Sequence, residues 1–408
     1  MSERWGRRGR SGVTVTLIAL IRRPDRPPYL LADLLVSSDT GRRFHLPTIG
    51  DFEPSPIGAF KQPDSLVQKI ARVGPRCAVA FAGNPLGARD ILRELREMHD
   101  RGMLRPPFLK SFFAGLGSDV SVRQSTTALA IFNDAGQFYD YVHGDTDAHS
   151  SDDYVVHLAG SGKNHCIFDR DGAVVLDQDG RPKRLFPHIL QRTIDVTRHD
   201  HPLCEYMGIQ STLIAIEHGT QDTIQHTYGG GFEIACFLRS GEVRKLDVPT
   251  YVYKRFDLDD DNTIISVIQR TGFDRYSRTL YFGNTLGVVN FDISALPTAA
   301  ATPAHTAELT VISDLVDAPS PEPFFDLMRR NDGVLFVYGN APAISLNLLL
   351  YRDGQFIDNL CYASAPRPHP HFDLRRVPTG IAFEATPEFA AKLEHDIRTW
   401  REAANTVE

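Results

Sequence analysis

The stretch "SGVTVTLIALIRRPDRPPYLLADLLVSSD" at residues 11–39 contains two apolar runs separated by a proline-rich segment. The first run, residues 14–21, is rich in Val, Ile and Thr, the residue types that favour strands. The second run, residues 29–36, has the same length and a similar apolar character. Arg-Pro-Asp-Arg-Pro-Pro between the runs supplies residues that favour a turn. The stretch therefore predicts two paired strands near the start of the chain.

The leader before this stretch is basic, and a basic leader followed by an apolar run is also typical of a signal peptide. Arg4, Arg7, Arg8 and Arg10 precede the first run, but no small-x-small cleavage site follows it. No segment of the sequence is apolar over the length that is needed to cross a bilayer. We therefore expect a cytoplasmic protein that keeps this stretch in its fold and makes no contact with a membrane.

The composition is that of an ordinary globular protein. At 408 residues the chain is longer than one hydrophobic core usually organises, so we expect two domains. The net charge of −7 argues against a general nucleic-acid binder. The cysteines stand singly among apolar neighbours without a CxxC pair, which predicts reduced core thiols. They are Cys77, Cys166, Cys204, Cys236 and Cys361.

The predicted elements between residues 66 and 248 follow the order strands, two helices, strands, two helices, strands. Apolar runs that end at glycine-containing turns indicate hairpins, and apolar residues at helical spacing indicate the helices. Helices in this order would cover the outer faces of two stacked sheets. We therefore expect an α+β fold, with a four-layer α-β-β-α sandwich within residues 14–256.

The remaining part of the chain, residues 257–408, has a different pattern. Short hairpin signals follow one another, for example "LYRDGQFI" at residues 350–357, and one helix is predicted at residues 387–404. A linker rich in Ala, Pro and Thr, near residues 297–307, interrupts this pattern. We expect a β-rich accessory domain, whose role the sequence does not specify.

Two further motifs follow the opening strands. They are "QKIARVGPRCAVAFAG" at residues 68–83 and "YVVHLAGSG" at residues 154–162, and each precedes a helix. With "TLIALI" at residues 16–21 and "YLLAD" at residues 29–33, this order resembles the proteasome-like N-terminal-nucleophile (Ntn) hydrolases, and among them the bacterial proteasome-type peptidases. The resemblance covers about residues 16–245 and implies the α-β-β-α fold of that family.

The resemblance also implies a set of catalytic residues. Thr16, at the start of the first strand, would be the nucleophile. Lys69, held by Asp33, would lower the effective pKa of the threonine hydroxyl, because a nearby positive charge favours the ionised oxygen. Ser161 matches the serine of the family's Gly-Ser-Gly turn. A backbone N–H near Gly83 would stabilise the oxyanion of an acyl-transfer reaction.

The chain departs from the family before the threonine. Fifteen residues precede Thr16, so its α-amino group, the base that such a threonine uses, is not free in the chain as written. Thr14, two residues earlier on the same strand face, is the alternative nucleophile. We hypothesise that Val15 is the true initiator, read from a GTG codon and trimmed after translation. The rival hypothesis is a propeptide that is cut to expose Thr16.

A second departure concerns an aspartate and a serine that the family carries before a double glycine. Here "QDTIQHTYGGG" at residues 221–231 offers Gln225 and Tyr228 in their place. Asp222 and Thr227 are the candidate replacements. The segment between the proposed aspartate and lysine is also much longer than in the simplest members of the family.

These residues favour a threonine-type peptidase or amidohydrolase that works through an acyl-enzyme on Thr16. The alternative is a catalytically inactive Ntn-fold protein that serves as a binding or assembly subunit. The resemblance implies a homo-oligomer with peptide or protein substrates, and an unfoldase partner stays unspecified. The histidine-containing segments 199–201 and 369–373 lack partner pairs at a recognised ligand spacing, so we expect no metal and no other cofactor.

Overall fold

The structure is a computed structural model that describes most of the chain from Thr16 onward. The described residues are 16–38, 44–46, 50–52, 62–116, 125–168, 173–198, 200–220, 222–246, 250–255, 263–270, 275–282, 285–292, 294–295, 308–311, 333–339, 343–352, 355–377 and 380–406. The predicted linker near residues 297–307 therefore lies outside the described residues.

Strands dominate the described part of the chain. Those before residue 247 are β1 (Ile18–Arg23), β2 (Arg26–Asp33), β3 (Leu35–Ser38), β4 (Phe44–Leu46), β5 (Gly50–Phe52), β6 (Gln62–Gln68), β7 (Ile70–Gly74), β8 (Cys77–Gly83), β9 (Thr126–Asp134), β10 (Gln137–His143), β11 (Asp147–Ser150), β12 (Val155–Ala159), β13 (Phe232–Phe237) and β14 (Val243–Lys245). Those after residue 249 are β15 (Thr250–Arg255), β16 (Thr263–Arg270), β17 (Arg275–Phe282), β18 (Thr285–Asp292), β19 (Ser294–Ala295), β20 (Glu308–Val311), β21 (Gly333–Gly339), β22 (Ala343–Arg352), β23 (Gln355–Pro366), β24 (Phe372–Val377) and β25 (Gly380–Ala385).

The longer helices lie where the sequence predicted helices, although α4 is buried on all sides from Cys204 to Glu217 instead of on one face. They are α1 (Pro85–Asp100), α2 (Pro106–Gly115), α3 (Leu185–Thr197), α4 (Pro202–Thr220), the short α5 (Asp222–Gln225) and α6 (Pro387–Thr406), and a 3₁₀ helix covers Ser161–Asn164. The Asn84 side chain caps α1 by accepting from the Leu86 N–H, with proline in the first turn. No helix in the described part of the chain combines the length and apolar character needed to traverse a bilayer.

Two antiparallel sheets organise the first part of the chain. One has the strand order β11-β12-β1-β2-β13-β14, and the other has the order β10-β9-β8-β7. Among the described strands, only β6 and β19 are paired in parallel. The expected class is confirmed at this level: the fold is mixed α+β with mostly antiparallel sheets.

Residues of β1 and β2 alternate between two hydrophobic clusters. Ile18 and Leu20 pack in one cluster with residues of β7, β8 and β9, such as Ala80 and Leu129. The intervening Ala19 and Ile21 belong to a second cluster that contains buried residues of α3 and α4. Both faces of the strand are therefore covered, which explains why its sequence is continuously apolar instead of alternating.

A third cluster lies on the other face of the four-stranded sheet. Val79 and Phe81 of β8 pack there against Ile91 and Leu92 of α1, and Leu109 of α2 completes the contact. The small residues that alternate with them, Ala78 and Ala80, face the cluster shared with β1 and β2 instead. The alternating size of the side chains in "CAVAFAG" thus matches the two environments of this strand.

The turn between β1 and β2 is shorter than the sequence predicted. Only Pro24 and Asp25 lie outside the strands, and Arg26, Pro27 and Pro28 belong to β2. Proline is tolerated there because β13 pairs only with the later residues of β2, from Leu30 to Asp33. The missing proline N–H groups therefore remove no hydrogen bond from that ladder.

The later strands form an eight-stranded sheet with the order β20-β18-β17-β16-β15-β21-β22-β23. Strand β15, which the sequence assigned to the first domain, pairs with β16 and β21 in this sheet. The sheet also contacts α4, where Ser211 Oγ donates to Ser345 Oγ at 3.1 Å and Thr212 Oγ1 donates to Asn347 Oδ1 at 2.7 Å. Residues of this sheet also belong to a separate hydrophobic cluster, which includes Leu393 and Ile397 of α6.

Candidate active site

Thr16, Asp33 and Lys69 lie together at one end of the β1–β2 hairpin. Thr16 precedes β1, Asp33 is the last residue of β2, and Lys69 lies between β6 and β7. The Thr16 hydroxyl donates to Asp33 Oδ1 at 2.5 Å, and Lys69 Nζ donates to the same oxygen at 2.6 Å. The structure thus brings together three side chains that are far apart in the sequence.

Backbone N–H groups hold the Asp33 carboxylate in a fixed orientation. Oδ1 also accepts from the Leu17 N–H at 2.8 Å. Oδ2 accepts from the Leu35 N–H at 3.1 Å and from the Gly229 N–H at 2.9 Å. Asp33 is completely buried. A buried carboxylate with this many donors is a rigid acceptor, because any rotation would leave several polar groups unpaired.

Lys69 is a buried cation, with only 3% of its surface exposed. Its Nζ also donates to the Leu35 carbonyl oxygen at 2.5 Å. Burial lowers the pKa of Lys69 below its usual value, and the neighbouring Asp33 carboxylate opposes that change. A lysine with a lowered pKa that contacts a carboxylate beside a hydroxyl is typical of sites that move protons.

Residues that follow β12 bind the main chain of Thr16. Its carbonyl oxygen accepts from the Gly162 N–H at 3.1 Å and, at the longer distance of 3.4 Å, from Ser161 Oγ. Gly160 has a φ of +85°, and a Cβ atom there would lie 2.0 Å from the Thr16 carbonyl oxygen. Only glycine allows this close approach of the two backbones.

The candidate replacements for the missing serine and aspartate are Asp222 and Thr227, and the structure describes the side chain of Thr227. This side chain contacts Ser161, which lies beside the Thr16 main chain. Its Oγ1 donates to Ser161 Oγ at 3.2 Å, and its backbone φ is +66°. The side chains of Asp222 and Gln225 lie outside the described residues, as does Thr14, the alternative nucleophile. Tyr228 packs elsewhere, with its hydroxyl 2.7 Å from His165 Nδ1.

Gly83 ends β8 next to the segment that carries Lys69. The Phe81 N–H donates to the Lys69 carbonyl oxygen at 3.0 Å, and Gly83 follows two residues later. Its φ of +89° and the position of the Ser125 carbonyl oxygen, 2.2 Å from where a Cβ would lie, both require glycine. Among the described residues, Gly83 takes no part in the hydrogen bonds of the Asp33 carboxylate or of the Thr16 carbonyl oxygen.

A second buried charge cluster supports the backbone of this site, and its residues were not among those predicted from the sequence. Glu233 of β13 accepts from the Lys69 N–H at 2.6 Å and from the Ile70 N–H at 2.8 Å. Lys245 of β14 bridges Glu233 Oε2 at 2.5 Å and Gln68 Oε1 at 2.6 Å. One signal was available: Glu233 is a carboxylate inside the apolar strand "FEIACF", where an unpaired charge would be costly.

A third buried carboxylate lies at the opposite end of the β1–β2 hairpin. Glu205 Oε2 accepts from Arg23 at 2.6 Å and from Arg26 at 3.2 Å, and Oε1 accepts from the Tyr29 hydroxyl at 2.8 Å. Burial raises the pKa of Glu205, although the two guanidinium groups oppose the change. This cluster joins the hairpin to the first turn of α4.

The cysteines include one correction. Cys77, Cys204, Cys236 and Cys361 are buried, as predicted, but Cys166 is only partly buried. Its Sγ donates to the Asn164 carbonyl oxygen at 3.3 Å. Cys166 lies in an irregular segment just after the 3₁₀ helix, where its side chain is only partly covered. Apolar neighbours in the sequence were therefore not sufficient to predict that it is buried.

Comparison with known proteins gives no function for this site. No family model matches the chain, and no curated protein gives a significant match. Within the described ranges, no group of three or more His, Cys, Asp or Glu side chains is arranged to hold a metal ion. The polar groups that converge at the end of the hairpin are instead a hydroxyl, a carboxylate and an ammonium group.

Proposed function

We propose that the protein is a threonine-type Ntn hydrolase that cleaves peptide or amide bonds, with Thr16 as the nucleophile. The supporting observation is that Asp33 Oδ1 accepts from both the Thr16 hydroxyl and the Lys69 ammonium group in a buried site. An ordinary strand threonine has no need of a buried lysine beside its hydroxyl. The arrangement supplies a nucleophile together with a fixed positive charge that stabilises its ionised form.

The fold supports the same proposal. The two sheets share one hydrophobic cluster, α1 and α2 cover the outer side of one sheet, and α3 and α4 cover the outer side of the other. We propose that residues up to about 246 form the α-β-β-α sandwich of the bacterial proteasome-type peptidases. The resemblance to that family further supports a cytoplasmic homo-oligomer, with the later β-rich region as an accessory domain.

The proposed reaction begins when Thr16 is the first residue. Its free α-amino group then accepts the hydroxyl proton while Oγ1 attacks the substrate carbonyl carbon. The carbonyl oxygen becomes an oxyanion, for which a backbone N–H near Gly83 is the proposed donor. The C–N bond breaks, the leaving amine takes the proton, and an ester on Thr16 remains. Water then attacks the ester, which releases the acid and restores the hydroxyl.

Lys69 and Asp33 act on the nucleophile in this scheme. The ammonium group stabilises the developing oxygen charge and disfavours a second positive charge on the α-amino group, which therefore stays neutral and able to accept a proton. Asp33 holds the ammonium group and the threonine at one oxygen. Ser161 and Thr227 lie on the side of the Thr16 main chain, where they can orient the α-amino group.

One observation favours the alternative, an inactive binding or assembly subunit. Thr16 has no exposed surface in the full-length chain, and the residues before it leave its nitrogen in a peptide bond. In that form no substrate can reach the buried hydroxyl, and Thr16 has no free α-amino group to act as the base. Activity therefore requires a chain that begins at Thr16, either through translation from Val15 or through removal of a propeptide, and a protein that keeps the preceding residues would have only the binding role.

The test is to prepare the protein with Thr16 as its first residue by cutting an N-terminal fusion, and to compare it with the full-length chain. We expect the Thr16-first form to cleave fluorogenic peptide amides and to gain one acyl group from a β-lactone, measured by intact mass. Thr16→Ala should lower the rate by at least about 10³-fold, while Thr16→Ser keeps the nucleophilic oxygen. The matched control is Thr193→Ala, which removes a buried threonine on α3.

Three outcomes would decide between the proposals. Loss of acylation in Thr16→Ala but not in Thr193→Ala supports the hydrolase. A folded Thr16-first protein that is inert toward both reagents favours the inactive subunit. Activity in a form that begins at Thr14, but not in the form that begins at Thr16, would make Thr14 the nucleophile.

A further inference from the structure

Glu233 contacts the backbone of Lys69 and not its side chain. The carboxylate is 1% exposed, and its Oε1 accepts from two consecutive N–H groups, those of Lys69 and Ile70. Consecutive N–H groups of a regular strand point to opposite sides of it. Two consecutive N–H groups that donate to one oxygen therefore require a local bend in the backbone. The strand is interrupted at Lys69, which lies between β6 and β7.

The bend decides where the lysine side chain goes. From the break, Nζ of Lys69 reaches Asp33 Oδ1 and the Leu35 carbonyl oxygen. The Lys69 carbonyl oxygen meanwhile accepts from the Phe81 N–H of β8. The peptide groups on both sides of Lys69 are thus held from two different strands, β13 and β8, and the residue has little freedom to turn its ammonium group elsewhere.

Lys245 compensates the charge of Glu233. Its Nζ lies within hydrogen-bond distance of Glu233 Oε2 and Gln68 Oε1, and its side chain is 5% exposed. A buried carboxylate without such a partner would be costly, and its charge would act on Lys69 directly. Lys245 therefore offsets part of the negative charge that Glu233 presents to Lys69.

We propose that Glu233 is a positioning residue for Lys69: it bends the backbone so that the ammonium group reaches Asp33, while Lys245 balances its charge. The consequence for catalysis rests on the proposed hydrolase function, whereas the effect on Lys69 itself does not. The charged groups that face Lys69 are Asp33 on β2 and Glu233 on β13, and both oppose the lowering of its pKa by burial.

The test measures Lys69 directly in the full-length protein. The titration of Lys69 is followed by NMR of ¹³C-labelled lysine side chains, with the signal assigned through Lys69→Arg. Glu233→Gln should lower the pKa of Lys69, because a nearby negative charge is lost. Lys245→Met should raise it, because the Glu233 charge is then uncompensated. The double variant Glu233→Gln/Lys245→Met should return it close to the wild-type value, because the glutamine carbonyl oxygen still accepts from both N–H groups. Glu233→Ala/Lys245→Met removes that acceptor and should leave the Lys69 titration displaced; a wild-type titration in this variant would overturn the positioning role.

The matched control is Glu205→Gln, which neutralises another fully buried carboxylate at the other end of the hairpin. It should leave the Lys69 titration unchanged. Equal Lys69 titrations in Glu233→Gln, Glu205→Gln and wild type would overturn the proposal. Shifts of the same sign in Glu233→Gln and Lys245→Met would also overturn it, because they would report general loosening and not charge.

A second readout connects the inference to activity. In the Thr16-first protein, Glu233→Gln should lower kcat by about tenfold with little change in KM, and the alkaline limb of the pH–rate profile should move to lower pH as Lys69 loses its proton more easily. Unchanged kcat and an unmoved limb would contradict the catalytic consequence. If the Thr16-first protein is inert, the hydrolase proposal fails, while the NMR titration still decides the role of Glu233.

Discussion

The two ends of the β1–β2 hairpin each hold a buried carboxylate, but with different cations. Asp33 at one end is bonded to Lys69 and to the Thr16 hydroxyl. Glu205 at the other end is bonded to Arg23 and Arg26. A guanidinium group keeps its charge at all ordinary pH values and binds carboxylates with fixed geometry, whereas a buried lysine can lose its proton.

The difference separates an ion cluster that we expect to be structural from one that we propose to be reactive. The Glu205 cluster contains no hydroxyl other than that of Tyr29, and burial raises the pKa of that phenol well above its ordinary value. It therefore has no group that can act as a nucleophile near neutral pH. The Asp33 cluster combines a hydroxyl with a cation whose proton affinity is lowered by burial. The proposed function therefore rests on the titratable partner of the carboxylate and not on burial alone.

The largest expected effect comes from exchanging the two kinds of cation. In the Thr16-first protein, Lys69→Arg should lower kcat roughly 10³-fold, within the range for losing a group that stabilises developing charge, because the larger guanidinium group does not fit between Asp33 and the Leu35 carbonyl oxygen. Arg23→Lys should leave kcat within threefold. Steady-state assays with a fluorogenic peptide measure both, and equal losses would show that the two ends do not differ in function.

A smaller effect is expected on stability at the Glu205 end. Arg23→Met removes the shorter of the two arginine hydrogen bonds to Glu205 and should lower the free energy of unfolding by about 2 kcal/mol. Arg22→Met is the matched control, because the Arg22 side chain is 63% exposed and lies 3.5 Å from Asp140. Its expected cost is below about 0.5 kcal/mol. Urea unfolding measures both, and similar midpoints would contradict a structural role for the cluster.

The smallest effect is a pH dependence with opposite signs at the two ends. Burial raises the pKa of Glu205 above 4.5, so its contribution to stability is present below pH 4.5 and is lost as the pH rises through its folded-state value. Burial lowers the pKa of Lys69 below 10.5, so its contribution is present above pH 10.5 and is lost as the pH falls. One pKa unit corresponds to only about 1.4 kcal/mol.

These signs can be measured by urea unfolding at several pH values. From pH 4.5 upward, wild type should lose stability relative to Glu205→Gln. Between the folded-state pKa of Lys69 and pH 10.5, it should gain stability relative to Lys69→Met. Parallel curves for wild type and both variants would show that neither group has a perturbed titration.

The sequence by itself determined the elements whose signals are local. The apolar runs of β1, β2, β8 and β9 are continuous because each strand is covered on both faces, and that burial is visible in the residues themselves. Helix α1 was visible from its apolar spacing and from the proline in its first turn. The resemblance selected Thr16, Asp33 and Lys69 as a set, although no local signal joins residues so far apart.

Tertiary structure decided which polar groups meet. Glu233 and Lys69 are 164 residues apart, and Glu205 and Arg23 are 182 residues apart. The hydrophobic periodicity of a segment indicates which of its side chains are buried. It does not indicate which other segment covers them, because different partners would bury the same face. The pairing of charges depends on strand order and on the register of β13 against β2. Those features are set by the packing of the whole core, so the charge partners appear only when the chain is folded.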